Sequence, residues 1–133
     1  MLAGDAPVLV HNCSKTLGKN LRKNGEEPPP GTIGPEAHHI VPQKESAANP
    51  ARQVLARIGL DMDSHFNGVW LGRQPHSGTF NWPRYSATIY PQWINDQIVN
   101  AYASGGAKHV MKVLSRTKRE LAAMNRVFGQ QLI

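Results

Sequence analysis

Apolar residues recur in the last quarter of the chain at steps of three and four. Val110, Leu114, Thr117, Leu121, Met124 and Phe128 form one stripe, which predicts an amphipathic helix over 107–128. Its other face carries Lys108, Lys112, Arg116, Lys118, Arg119 and Arg126 against Glu120. Upstream, Tyr85, Ile89, Trp93, Ile94, Ile98 and Tyr102 share a broader face and predict a helix from Pro83. Pro91 is expected to kink or split that helix, and Gly105-Gly106 to end it. A short helix is expected at 50–58, with Asn49 as N-cap, Pro50 at the first position and Gly59 just past the end. Two short strands complete the pattern. One is AHHIVP over 37–42, closed by a proline that cannot extend a ladder. The other is GVWLG over 68–72, entered through a tight turn at Asn67-Gly68. These elements predict a small α+β domain.

Ahead of them the pattern fades. Residues 14–27 are polar and basic, and Pro28-Pro29-Pro30-Gly31 is a stiff, extended break. The stretch 13–34 is read as a flexible linker, with the compact domain over 35–133. Residues 1–10 are mildly apolar but lack the basic start and the length of a signal peptide. The 133 residues suffice for one domain. No apolar run approaches the ~18–20 residues of a membrane span. Lys and Arg number 15 and Asp and Glu number 9, a formal charge of +6 that points toward polyanions, nucleic acid first. Cys13 is the single cysteine, which excludes an intramolecular disulfide framework and a Cys-rich zinc finger.

The main chemical signal is His38-His39. Adjacent residues on a strand point to opposite sides, so one imidazole can bind a metal while the other faces a water. A general base works best when it titrates near the working pH, as imidazole does. The plain alternative is a surface His-His pair. Asn67 before the second strand and His76 before the long helix extend the pair into an ordered set. Asp61, Asp63 and His65 read as turn residues, Trp70, Trp82, Trp93 and Tyr85 as packing residues, and His109 as a surface residue without a partner. Arg73 and Arg84 flank the set and are candidate phosphate clamps, with solvated arginines as the alternative.

Three segments together, AHHIVP, LDMDSHFNGVWL and HSGTFNWPRYSATIY, resemble the HNH nucleases of the ββα-metal superfamily, in the branch named for its Ala-His-His signature. The resemblance covers roughly residues 35–102 and implies a ββα-metal core elaborated by helices. It implies that His38 and His76 are metal ligands, that His39 is the general base and that Asn67 holds the base by a hydrogen bond. The implied cofactor is one divalent ion, Mg²⁺ or Zn²⁺, which would neutralise charge at the scissile phosphate. Related nucleases often carry a further histidine four residues after the one matching His76. Here that position is Phe80, which cannot bind a metal, although Asn81 beside it carries an amide oxygen. Phe80 implies either a site with fewer protein ligands or an impaired enzyme.

A second resemblance lies in Val8-Leu9-Val10-His11-Asn12-Cys13, which looks like the C-terminal junction of an intein-like Hint module. On that reading residues 1–12 are the end of an upstream module and His11, Asn12 and Cys13 form a processing junction. Together the two resemblances imply the C-terminal toxin of a secreted bacterial effector, delivered to the cytoplasm of competing cells. Its expected partners are nucleic acid, double-stranded DNA before RNA, and a cognate immunity protein; otherwise it is expected to be monomeric. Two rival readings stay open. One is a catalytically weakened domain that binds nucleic acid or an immunity protein. The other is a structural zinc site at His38 and His76, for which too few ligands are visible.

Overall fold

The computed structural model describes residues 15–72 and 89–131. In chain order the elements are helix α1 (Lys15–Lys23), strand β1 (Glu36–His39), helix α2 (Asn49–Arg57), strand β2 (Gly68–Leu71) and helix α3 (Tyr90–Gln131). Single 3₁₀ turns at Ser46–Ala48 and His65–Asn67 lead into α2 and β2. The fold is α+β, and two antiparallel strands followed by a helix are consistent with a ββα core.

β1 and β2 pair with Ala37 opposite Trp70, His38 opposite Val69 and His39 opposite Gly68. Side chains alternate along a strand, so the ribbon has two distinct faces. Val69 and Leu71 join Ile40, Val41, Leu55, Ile94, Ile98, Val110 and Leu114 in the main core. Ala37 and Trp70 face the other way, against Leu17 and Leu21 of α1. The ribbon therefore lies between α1 and the α2–α3 layer.

Helix α1 corrects the reading of 13–34 as a linker. Leu17, Gly18 and Leu21 are buried, one turn apart on one face, while the lysines around them are exposed. A Cβ on Gly68 would stand 2.6 Å from Leu17 Cδ1, so a side chain there would require Leu17 to shift. Trp70 completes the seam. Its Nε1 donates to Glu26 O at 2.8 Å, and Arg22 lies over its ring at 4.9 Å.

Helix α2 ends as its sequence predicts. Gly59 has φ +77°; its N–H reaches Ala56 O, and that of Leu60 reaches Leu55 O, the paired bonds of a Schellman motif. Its start differs. Ala48 occupies the N-cap without a side-chain bond, and Asn49 lies inside the helix. The cap comes from α3, where buried Asn95 accepts from Ala51 N at 2.8 Å. Pro91 produces no kink within α3, because it falls in the first turn, where its missing N–H costs nothing.

The break at Gly105-Gly106 is present. Gly106 adopts φ 67° and ψ −154°, which a side chain would resist. Arg116 donates to Gln97 across the break at 3.5 Å. In one straight helix those residues would be about 28 Å apart, so the second segment folds back on the first. Val110, Leu114, Thr117 and Leu121 of the stripe are buried on it, with Val113 beside them; Met124 is half-buried, and the side chain of Phe128 lies outside the described ones. His109, expected to lack a partner, has Nδ1 3.2 Å from Ser104 Oγ across the same break.

Candidate active site

The strand places the two histidines on opposite faces. His38 lies on the core side of the ribbon, opposite Val69, with its side chain a quarter exposed and Nε2 3.6 Å from Glu36 Oε1. Glu36 and His38 are two apart and share a face. His39 lies on the α1 side and is buried. Its Nε2 stands 2.8 Å from Asp63 Oδ1.

Asp63 is itself held from two directions. Its N–H donates to Asp61 Oδ1 at 2.7 Å, a local turn in which Asp61 plays the part expected of it. Its carbonyl accepts from Asn20 Nδ2 of α1 at 2.7 Å. The turn residue that the sequence left without a role thus meets His39. Asp63 carries the contact that the resemblance assigns to Asn67.

Asn67 has a different task. It is fully buried. Its Oδ1 accepts from Val41 N at 2.8 Å, and its Nδ2 donates to Val41 O and to Met62 O at 3.3 and 3.0 Å. Its own carbonyl accepts from Ile40 N at 2.8 Å. Asn67 therefore ties the end of β1 to the loop that carries Asp63.

Among the described residues no three of His, Cys, Asp and Glu gather as a metal group. His38, with Glu36 beside it, supplies one side of a candidate site and falls short of a ligand set by itself. His76, Phe80, Asn81, Arg73, Arg84, Trp82 and Tyr85 lie outside the described residues, as does the junction His11, Asn12 and Cys13. No helix among the described residues is long and apolar enough to cross a membrane.

The geometry can be set beside known families. A model of a nuclease family of the HNH/ENDO VII superfamily, marked by a conserved AHH, matches residues 19–127. The matched span holds the AHH of this chain, Ala37-His38-His39, and most of α1. No curated protein and no solved structure matches the chain.

Proposed function

The chain belongs to the AHH nuclease family of the HNH/ENDO VII superfamily, and from that premise we propose a metal-dependent endonuclease that hydrolyses phosphodiester bonds, DNA before RNA. The observation that carries the proposal is the 2.8 Å contact between His39 of the AHH signature and Asp63. Hydrolysis needs a base for the attacking water. On this reading the Asp63 carboxylate accepts from His39 Nε2–H and orients the ring. The imidazole takes the water's proton. The water oxygen bonds to phosphorus, and the bond to the leaving oxygen breaks. Asp63 then faces an imidazolium, which a carboxylate stabilises.

Nucleases of this superfamily generally use a divalent metal. We assign His38 and His76 to hold it here, where it would offset charge on the phosphate. The biological reading follows from the family and from the VLVHNC segment: a toxin domain of a secreted effector, acting in competing bacterial cells and countered by an immunity protein.

A plasmid-nicking assay tests the enzyme. The chain as written, Phe80→His and His39→Ala are each compared with Mg²⁺, Zn²⁺ or EDTA, with thermal melts as the control for folding. The expected result is metal-dependent nicking that EDTA removes and His39→Ala abolishes with its melt preserved. Activity confined to Phe80→His would assign the chain to the weakened-domain reading. Cleavage by folded His39→Ala would remove His39 as the base.

A further inference from the structure

A groove of about 650 Å³ opens beside the turn that carries Phe66. It runs between the end of α1, the 65–67 turn and the second segment of α3. We propose that this groove binds an unpaired stretch of nucleic acid, with a base stacked on Phe66 and phosphates on Lys108 and Lys112; the inference rests on the nuclease reading above.

Phe66 is 47% exposed while its neighbour Asn67 is fully buried. The turn thus presents its aromatic ring to solvent. The ring lies 4.1 Å from the ring of His65, centroid to centroid, with the planes tilted by 35°, so His65 backs it on one side. Every base has a π-face, so such a platform takes any base that is out of its helix. A base inside a duplex is already stacked on both sides and cannot reach it.

The charge on the groove fits the same ligand. Glu26 is the one carboxylate among the described residues that line it, and its charge is already committed. Lys118 Nζ stands 2.7 Å from its Oε1, and Asn24 Nδ2 donates to its Oε2 at 2.7 Å. His65 Nδ1 lies 3.7 Å from the same Oε2. Lys118 also donates to His65 O at 3.0 Å, which fixes the turn to α3. Lys108 and Lys112 remain, exposed and one turn apart, with no ion pair among the described residues. Two free cations beside an aromatic plane match a strand with its base turned in and its backbone along the helix. An acidic protein would satisfy the lysines, but its match to the flat ring is less specific.

Position adds a third argument. Phe66 is three residues from Asp63, on the loop that holds His39. The proposed preference is for sites where a strand is locally unpaired.

The test is fluorescence polarisation with the full chain in EDTA, using labelled dT20 and a labelled blunt 20-base-pair duplex. Phe66→Ala is expected to weaken dT20 binding roughly tenfold and to leave the duplex within twofold. Lys108→Ala/Lys112→Ala is expected to weaken both probes and to lower the salt slope for dT20 by about 1.4, the release from two phosphate contacts. Unchanged dT20 affinity in Phe66→Ala, with an unchanged melt, overturns the proposal and leaves the groove to a protein partner. Equal losses on both probes in Phe66→Ala overturn it too. Because binding is read without cleavage, its result is separable from the nicking assay. Lost nicking with intact, Phe66-dependent binding removes the nuclease and keeps the groove. Intact nicking with Phe66-independent binding does the reverse.

Discussion

Asp63 shows what a single residue can hide in a sequence. AHH is legible because its members are adjacent and their alternation follows from the strand. The partner of His39 is 24 residues away, in Asp61-Met62-Asp63-Ser64. Aspartate there is what any turn uses, and Asp61 does serve the turn. Only the folded chain separates the two carboxylates. If Asp63 positions and supports His39, then Asp63→Asn should keep an acceptor and lose the charge. We expect kcat to fall roughly 10–100-fold, the usual loss for an orienting partner, with KM and the melting temperature nearly unchanged. Asp63→Glu should recover part of the rate. A rate loss matched by an equal loss of stability would show a structural role only.

Elements differed in legibility according to how much of their stabilisation is local. The second segment of α3 repeats its apolar stripe over several turns, so periodicity alone reveals it. The end of α2 is equally local, since Gly59 and two backbone bonds complete it. The start of α2 is not, because its cap lies 44 residues away on α3. The sequence pointed to Asn49, the nearest residue of the right type. Helix α1 fails the same test. KTLGKNLRK offers only Leu17 and Leu21 as apolar positions, too few to mark a helix. Its stability is tertiary, from burial against Ala37 and Trp70. Asn95→Ala is the sharpest probe of the long-range cap. It leaves the Ala51 N–H without its acceptor in a buried position, a cost of about 1–3 kcal/mol. Urea unfolding should show a lower midpoint with an unchanged m-value, and Asn49→Ala should cost less.

At the scale of the molecule, α1 changes what counts as the catalytic domain. Read as a linker, residues before Gly34 could be removed without consequence. The structure gives them two tasks. Leu17 and Leu21 close one side of the ribbon, and Asn20 holds the backbone of Asp63 at 2.7 Å. The family match also begins within this helix, at residue 19. The His39–Asp63 pair thus lies between β1 and a loop that α1 anchors from outside. Two variants separate the tasks. Leu21→Ala empties a fully buried position and should cost about 2–5 kcal/mol, read as a lower melting temperature with the rate per folded molecule retained. Asn20→Ala removes one partly buried bond, worth about 0.5–1.5 kcal/mol, so the melt should barely move. Its effect should appear in nicking, because the loop carrying Asp63 loses its outer anchor while His39 stays on the strand. Full activity in Asn20→Ala would confine α1 to packing. A selective loss would make it a working part of the site, joined to the histidine pair through a residue that periodicity and motif both pass over.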